Sequence, residues 1–257
     1  MKVIAIIPAR MGASRFPGKP MAAICGIPMV EHCYKRTKLC DFIDEVYVAT
    51  CDRIIYDHIL SIDGKVVMTS DLHVRATERV AEAILNIEKL PGQQEYDLVI
   101  MVQGDEPLVH PEMLKEVVQP LLDGSRSISN LMAEIHSEEA IHDSNVVKVV
   151  FSQNNSALYM SREPIPSKRN YKNGFKTYRQ LGLIGFAKKE LLNFVKLTPT
   201  PLEIIESVDM NRFLENNISI HMVETNYTSD AVDNLEDLER VSLQMQTDLI
   251  FQKYLNM

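Results

Sequence analysis

Long hydrophobic runs are absent from this sequence. The most apolar stretches, such as DLVIMV at 97–102, are far shorter than the roughly 20 residues that a membrane-spanning helix needs. The opening residues KVIAII have the composition of a strand, and no cleavage-site pattern follows them. We therefore expect neither a membrane span nor a signal peptide, and we expect a cytoplasmic location.

Positive charge is also in short supply. The 257 residues include 27 lysines and arginines against 35 aspartates and glutamates, which gives a formal net charge of −8. Since proteins that bind nucleic-acid backbones carry a basic surface, general nucleic-acid binding is not expected. Basic residues that do cluster are therefore interpreted as sites for discrete anions.

Cysteine pairs with metal-binding or redox spacing are missing as well. The chain has four cysteines and no CxxC pair, so neither a zinc site nor a redox motif is predicted. Core or surface thiols are the roles that we expect for them. All four lie in the first fifth of the chain, at Cys25, Cys33, Cys40 and Cys51.

The first half of the chain alternates short β-branched runs with helical patterns. This order is typical of a parallel sheet covered by helices on both faces, and ligands bind such sheets outside the carboxyl ends of the strands. No linker, repeat or low-complexity stretch divides the chain, so we predict one α/β domain over 1–257. The predicted strands are 2–8, 45–50, 65–69 and 97–102, and the predicted helices are 28–39, 53–62, 77–90 and 111–122.

The second half has a different pattern, which predicts further and partly antiparallel strands. The residues QNNS at 153–156 indicate a hairpin turn. The segment 161–179 is polar, basic and proline-containing, which indicates a long loop or lid. Residues 235–255 carry apolar side chains at spacings of three and four and predict one amphipathic helix. The additional strands are predicted at 127–135, 145–152, 156–161, 178–186 and 219–223.

The loop PARMGASRFPGKP, at 8–20, follows the first predicted strand directly. It places Arg10, Arg15 and Lys19 beside two glycines, and cationic side chains with free backbone N–H groups suit a triphosphate. The loop is neither a Walker A motif nor a dinucleotide fingerprint. A plain basic surface loop is the alternative, and two observations oppose it: the position at a strand end and the stiffness that two prolines impose.

Carboxylates follow the fourth predicted strand, in the motif VQGDEP. Asp105 and Glu106 stand where this strand ends, and Mg²⁺ is commonly held by one or two carboxylates together with substrate phosphates. The motif VDNLEDLER supplies a second candidate ligand, Asp233, for which a helix-cap role is the alternative. The residues alone therefore predict a Mg²⁺ site at Asp105 and leave both roles open for Asp233.

Four segments together resemble one family. IIPARMGASRFPGKP, VQGDEP, VKVVFSQNNSALYMSREPIP and VDNLEDLER are similar, in this order and over nearly the whole chain, to segments of the 3-deoxy-manno-octulosonate (Kdo) cytidylyltransferases. These are relatives of the sialic-acid cytidylyltransferases. The resemblance implies a mostly parallel α/β sheet of the nucleotide-diphospho-sugar transferase (glycosyltransferase-A-like) type. It also implies an inserted antiparallel region at 145–186 that contributes to a lid and a homodimer contact.

The resemblance further implies a reaction. CTP and an acidic sugar give a CMP-sugar and pyrophosphate, by attack of the anomeric hydroxyl on the α-phosphorus with Mg²⁺ as cofactor. The implied catalytic residues are Arg10, Lys19 and Asp105, and the implied metal ligands are Asp105 and Asp233. The implied nucleotide-binding residues are Pro8, Arg10, Ser14, Arg15, Lys19, Arg79 and Gln103.

The chain departs from the family pattern where the sugar is expected. Arg75 and Ala76 replace a serine and a glycine, Gln180 replaces a histidine, and Met210 replaces a glutamine. Sites built to bond hydroxyls discriminate strongly against partners that lack them, so lost polar groups suggest a changed acceptor. The candidate acceptor-binding residues are Arg75, Arg162, Gln180, Asp209 and Met210.

Several alternatives stay open at this point. Arg75 adds a cation that could pair with an extra carboxylate, phosphate or phosphonate, and Arg162 could hold a carboxylate bidentately. The same chemistry on a modified octulosonate, a nonulosonate or a phosphonate is therefore one alternative. A catalytically silent nucleotide-binding relative and a purine-using nucleotidyltransferase are the others.

Overall fold

The computed structural model describes residues 1–12, 16–170, 175–227 and 229–255. Within these residues a nine-stranded sheet forms the centre of the molecule, and a two-stranded hairpin lies beside it. The strands are β1 Val3–Ala9, β2 Ala23–Ile24, β3 Ile27–Pro28, β4 Glu45–Thr50, β5 Val66–Met68, β6 Leu98–Val102, β7 Ile128–Glu134, β8 Lys148–Phe151, β9 Ala157–Ser161, β10 Tyr178–Ala187 and β11 His221–Glu224. The helices are α1 Met29–Lys38, α2 Arg53–Ser61, α3 Ala76–Glu88, α4 Pro111–Val118, α5 Glu138–His142, α6 Lys188–Phe194, α7 Pro201–Glu206, α8 Met210–Glu215, α9 Leu235–Gln246 and α10 Leu249–Tyr254.

The sheet order is β11-β7-β10-β6-β1-β4-β5, with the hairpin β8–β9 attached through β10. Strands β6, β1, β4 and β5 are parallel, as the alternating pattern predicted. Strand β10 runs antiparallel to β6 and β7, whereas β11 is parallel to β7. Every residue of β1 is buried, which explains why its sequence is continuously apolar rather than alternating.

Helices cover both faces of the sheet, so the core has two layers. The face carrying Ile4 and Ile6 packs against α3, whose residues Val80, Ile84 and Ile87 are fully buried and share one face of the helix. The opposite face packs against α1, α2 and α4. The two layers hold the carboxyl end of β1 and that of β6 side by side.

The inserted region contains the predicted hairpin. Strands β8 and β9 pair antiparallel, and the turn between them places Asn155 at a φ of 61°, a conformation that asparagine tolerates better than most residues. The start of β10, at Tyr178 and Arg179, pairs with β8. The insert is therefore joined to the strand that lies between β6 and β7.

The prediction of one helix over 235–255 is wrong. Helix α9 ends at Gln246 and α10 starts at Leu249, because the Asp248 carboxylate accepts hydrogen bonds from the N–H groups of Ile250 and Phe251 and caps a new helix. Both helices pack on α1 through a third apolar cluster.

Smaller differences concern the segment before α1. Residues 23–28 form the hairpin β2–β3, which the sequence analysis did not predict, with Cys25 at φ 49° and Gly26 at φ 83°. Pro28 ends this hairpin, so α1 starts one residue later than predicted. The cysteines match their prediction, because Cys33 and Cys40 are buried and all four are unpaired.

Candidate active site

Two adjoining cavities open at the carboxyl ends of β1 and β6. The loop-side cavity, of about 350 Å³, is lined by residues that include Pro8, Arg10, Phe16, Lys19, His73, Arg75, Arg79 and Gln103. The acceptor-side cavity, of about 360 Å³, is lined by residues that include Gln103, Glu106, Asn145, Arg162, Arg179, Gln180, Ser207, Asp209, Met210, Asp230 and Arg240. Asp105 and Asp233 line both cavities and stand where they meet.

The loop-side cavity brings together most of the residues predicted to bind the nucleotide. Arg10 donates from Nη1 to the carbonyl oxygen of His73 at 3.2 Å, which ties the loop after β1 to the loop after β5. Ser14 and Arg15 lie outside the described residues. The others line this cavity: Pro8, Arg10, Lys19, Arg79 and Gln103.

Arg79 has an unused hydrogen-bond donor. Its side chain is buried, and Nη1 donates to Thr69 Oγ1 at 2.6 Å and to the carbonyl oxygen of Ser70 at 3.0 Å. Its Nη2 finds no hydrogen-bond partner among the described residues. Since buried polar groups are nearly always paired, a buried N–H group without a partner in the wall of a cavity indicates a place for an acceptor atom of a ligand.

Lys19 holds the two carboxylates at the junction. Its Nζ lies 2.7 Å from Asp105 Oδ2 and 3.4 Å from Asp233 Oδ1. Burial alone would lower the pKa of Lys19, but the charge of Asp105 and then that of Asp233 outweigh it, and the pKa is raised above its ordinary value. The ammonium group is therefore charged, and it lies where two carboxylates converge.

This pair of carboxylates fits the predicted metal site. Asp105 Oδ2 and Asp233 Oδ1 both contact the Lys19 ammonium group, so the two carboxylates converge on a common point. Within the part of the chain that the structure describes, no group of three or more His, Cys, Asp or Glu residues could hold a metal ion. A Mg²⁺ ion held here would therefore need oxygen ligands from phosphate and water, which is how this ion usually binds.

The position of Asp233 is fixed by its neighbours. The N–H of Val232 donates to the carbonyl oxygen of Asp105 at 2.9 Å, and the N–H of Asp233 donates to Asp237 Oδ2 at 3.0 Å. The side chain that caps α9 is that of Asn234, which accepts from the Asp237 N–H at 2.9 Å. The helix-cap alternative for Asp233 is therefore wrong.

Glu106, next to Asp105, has a different environment. Its buried carboxylate accepts from the Gly182 N–H at 2.6 Å and from Ser229 Oγ at 2.9 Å. Burial, followed by the charge of Asp105, raises its pKa to about 7. A Cβ added at Gly182 would lie 2.5 Å from Glu106 Oε1, so only glycine lets β10 approach this carboxylate.

Four of the five predicted acceptor residues line the acceptor-side cavity, and each is held by the protein. Arg162 Nε donates to the Glu206 carbonyl oxygen at 2.7 Å. Gln180 Nε2 donates to Asn130 Oδ1 at 2.7 Å. Burial raises the pKa of Asp209, and Met210 is fully buried.

Arg75 stands beside one of these four residues, with its Nε 3.6 Å from Asp209 Oδ1. It lines the loop-side cavity instead of the acceptor-side cavity. Its Nε lies 3.1 Å from Glu203 Oε1, in an ion pair within the chain. The structure therefore places Arg75 next to Asp209 but in the lining of the loop-side cavity.

The comparisons with known proteins agree with this arrangement. The family model described as Cytidylyltransferase matches residues 4–220. The chain belongs to the cytidylyltransferase family. A relative from Thermodesulfovibrio yellowstonii, named 3-deoxy-manno-octulosonate cytidylyltransferase, is 42% identical over 246 residues, which cover 93% of this chain and 96% of the relative. A relative from Shewanella frigidimarina, named 8-amino-3,8-dideoxy-manno-octulosonate cytidylyltransferase, is 38% identical over 251 residues, which cover 96% of this chain and 100% of the relative.

Solved structures confirm the fold expected for this cytidylyltransferase. A CMP:2-keto-3-deoxy-manno-octonic acid synthetase complexed with CTP superposes with a TM-score of 0.88 at 32% identity, over 97% of this chain and 100% of that one. A putative glucose-1-phosphate thymidylyltransferase from Bacillus anthracis gives a TM-score of 0.69 at 14% identity, over 97% and 99% of the two chains. The second likeness concerns the fold alone.

Two arginines of this cytidylyltransferase were missed by sequence reasoning. Arg179 Nη2 lies 3.6 Å from Asp230 Oδ1, and Arg240 Nη1 lies 2.8 Å from Asp237 Oδ1. Both arginines line the acceptor-side cavity. Arg179 is adjacent in sequence to Gln180, a predicted acceptor residue, and this adjacency was a weak indication of its position. Arg240 lies on a helix whose packing the sequence does not reveal.

Proposed function

We propose that the protein transfers a cytidylyl group from CTP to 3-deoxy-manno-octulosonate. The observation that carries the proposal is the position of Asp105 and Asp233, at the junction of a cation-lined cavity and a second cavity that contains arginines. The relatives' names supply the substrates, since the Thermodesulfovibrio relative is named for this activity. The solved neighbour at 32% identity is described as a complex with CTP.

The nucleotide belongs in the loop-side cavity. Arg10 and Lys19, with Ser14 and Arg15 of the same loop, offset the charge of the triphosphate. The unpartnered Nη2 of Arg79 donates to the nucleotide. Pro8 and Gln103 line the same cavity and shape it.

The acceptor belongs in the acceptor-side cavity, where Arg162, Gln180, Asp209 and Met210 contact it. Its anomeric oxygen forms a bond to the α-phosphorus, and the bond from that phosphorus to the bridging oxygen breaks. Pyrophosphate leaves, and the hydroxyl proton passes to solvent. Lys19 and Arg10 stabilise the charge that develops on the leaving pyrophosphate, because fixed cations act strongly at such a site.

We also propose that Asp105 and Asp233 hold Mg²⁺ together with the phosphates. When bound, this ion lowers the pKa of the attacking hydroxyl and offsets phosphate charge. The convergence of both carboxylates on one ammonium group supports the assignment. Val232 and Asp237 keep the Asp233 backbone beside Asp105 through hydrogen bonds.

A second candidate acceptor is the 8-amino analogue of the same acid. The Shewanella relative named for that acid is 38% identical to this chain, close to the 42% of the first relative. The changes at Gln180 and Met210 also lie in the acceptor-side cavity. The two acids differ in one group, so the reaction itself is the same for both.

The deciding experiment measures pyrophosphate release from CTP and Mg²⁺ with each acid and without an acceptor. Release with 3-deoxy-manno-octulosonate, absent in the D105N variant, is the expected result. Release with the 8-amino acid alone would make that acid the substrate. CTP binding without release for any acid would contradict the proposed activity and favour a silent nucleotide-binding protein.

We further propose a homodimer that uses the inserted region 145–186. Leu158 of β9 and Ile204 and Ile205 of α7 are large apolar side chains that are 61%, 60% and 77% exposed in the single chain. Exposed apolar groups of this kind often mark protein contacts. Light scattering should give twice the 29.2 kDa chain mass, and L158D, within the insert, should lower it; a monomeric wild type would contradict the proposal.

The remaining proposals concern organisation and location. One domain over 1–257 is supported by the central sheet, whose strands run from Val3 to Glu224. A cytoplasmic location is supported by four free cysteines, which reducing compartments preserve. Among the described residues, no helix has the length and apolar character needed to cross a membrane.

A further inference from the structure

Arg75 lines the loop-side cavity, yet its donors are directed at another part of the chain. Nε donates to Glu203 Oε1 at 3.1 Å, and Nη2 donates to the Glu203 carbonyl oxygen at 3.2 Å. Nη1 donates to Ser207 Oγ at 2.9 Å. The guanidinium group therefore fastens the start of α3 to α7 and to the turn that follows it.

Thr77 makes a second link between the same two segments. Its Oγ1 donates to Asp209 Oδ2 at 2.8 Å, and its backbone N–H donates to the same oxygen at 3.3 Å. Arg75 and Thr77 thus hold both ends of segment 203–209 from one turn of α3. This turn leads directly to Arg79, the residue with the unpartnered donor in the loop-side cavity.

Segment 203–209 matters because it leads into one wall of the acceptor-side cavity, formed by residues 207–210. Ser207 lines both cavities and has a φ of 52°. A residue with a Cβ adopts this left-handed conformation only where its surroundings fix it. The hydrogen bond from Arg75 to the Ser207 hydroxyl is one contact that fixes it.

We infer that Arg75 is a positioning residue that sets the shape of the acceptor-side cavity from the nucleotide side of the site. The inference rests on the proposed function. Because each of the three nitrogens of Arg75 donates within the chain, it acts on the acceptor through Ser207 and the wall formed by residues 207–210. This role differs from the one considered from the sequence, in which Arg75 could pair directly with an anionic group of the acceptor.

Removing Arg75 should leave the fold intact. Glu203 is fully buried, but Arg212 binds both of its carboxylate oxygens at 2.6 Å. Burial alone would raise the pKa of Glu203, and Arg212 with Arg75 keeps it below its ordinary value. Glu203 therefore keeps a bidentate partner when Arg75 is replaced. Asp209, whose Oδ1 lies 3.6 Å from Arg75 Nε, keeps its two hydrogen bonds from Thr77.

The test compares R75M, S207A and the double variant R75M/S207A. Alanine shares the Cβ of serine, so S207A removes only the hydroxyl at an unchanged φ. Steady-state kinetics give KM for the acceptor at saturating CTP, KM for CTP and kcat. The control is R53M, which removes an arginine that is 74% exposed and paired with Asp57 on the surface of α2.

R75M and S207A are each expected to raise KM for the acceptor about tenfold, as for the loss of one charge-assisted hydrogen bond. KM for CTP and kcat should change less than about threefold, since positioning of the acceptor is what is lost. The double variant should have a KM for the acceptor no higher than that of R75M, because the hydrogen bond between Arg75 and Ser207 is already absent in R75M. R53M should match the wild type, and thermal unfolding should be unchanged in all four.

Two results would overturn the inference. If the increases in KM for the acceptor multiply in the double variant, Arg75 and Ser207 act separately, as expected if Arg75 contacted the acceptor itself. A rise in KM for CTP alone would make Arg75 a nucleotide-binding residue. Failure of the proposed function is a separate outcome, because the wild type would then release no pyrophosphate with either acid.

Discussion

Asp105 and Glu106 are neighbours in the chain but stand in opposite environments. Asp105 faces both cavities and pairs with Lys19, whereas Glu106 is buried between the Gly182 N–H and Ser229. The sequence located the pair at the end of β6, but it gave no means of dividing their roles. That division depends on β10, which approaches from a distant part of the chain.

The first prediction uses this contrast. D105N should fold normally and lose at least about a hundredfold in the rate of pyrophosphate release, because one of two converging carboxylates is gone. E106Q should stay within about threefold of the wild type, since an amide oxygen can still accept from Gly182. The measurement is the rate of pyrophosphate release at saturating CTP and acceptor for the wild type and both variants. An active D105N would contradict the assignment of Asp105 as a metal ligand.

A second prediction concerns Arg79. R79K keeps the charge but offers one compact ammonium group in place of a planar fork, so it cannot serve Thr69, Ser70 and a ligand together. We expect KM for CTP to rise about tenfold or more, with KM for the acceptor nearly unchanged. A variant with normal CTP binding, measured by calorimetry, would show that the free Nη2 has no ligand.

At the scale of elements, the strands that hold the site were easier to predict than the strand that completes it. Strands β1, β4 and β6 were predicted within about a residue because they are buried apolar runs. Strand β10 was predicted as a strand, but its place between β6 and β7 was not. A pairing between residues 98–102 and 183–187 leaves no local trace in either sequence.

The C-terminal helices show a second limit of pattern reading. Apolar spacing continues across residues 235–255, so the pattern alone could not reveal the break. The signal was Asp248, a residue type that often caps helices. It also pairs with Arg36, which is almost fully buried, and so fixes α10 on α1.

A third prediction follows from that ion pair. D248N keeps the cap but neutralises the partner of a buried arginine, so the free energy of unfolding should fall by about 2 kcal/mol at pH 7. Burial alone would raise the pKa of Asp248, but Arg36 outweighs it and the pKa is lowered from 3.8. The carboxylate therefore contributes fully to stability above 3.8, its ordinary value, and loses that contribution as the pH falls below 3.8 and through the lower pKa of the folded state. Denaturant unfolding should show that the wild type and D248N differ less in free energy of unfolding at pH 3 than at pH 7. An equal difference at both pH values would contradict the ion pair.

For the whole molecule, the alternation of the first half and the resemblance together predicted the fold class, and the comparisons confirm it. They also predicted that the two halves share one site. What they could not provide was the order in which distant segments meet. Arg240 and Ser207 became visible only once the strands and helices were in place.

A fourth prediction links the site to global stability. Chelation of divalent cations should stop pyrophosphate release, yet leave the unfolding temperature within about 1 °C, because Lys19 already offsets much of the repulsion between Asp105 and Asp233. In K19M the two carboxylates should repel, with a loss of about 1 kcal/mol that added Mg²⁺ restores. A wild type that melts much earlier with chelator would show that the lysine does not replace the ion.

The position of Asp105 and Asp233 around one lysine also has a consequence for the newly made chain. A ribosome adds residues one at a time, at about 5–20 per second, and Asp105 emerges long before its partner. Until residue 233 is made, the nascent chain has half of the junction, and until residues 178–187 are made, β6 lacks the neighbour that β10 provides. Translation therefore delays the assembly of a working site until most of the protein has been synthesised, so truncated products that stop short of this point should be inert toward CTP turnover.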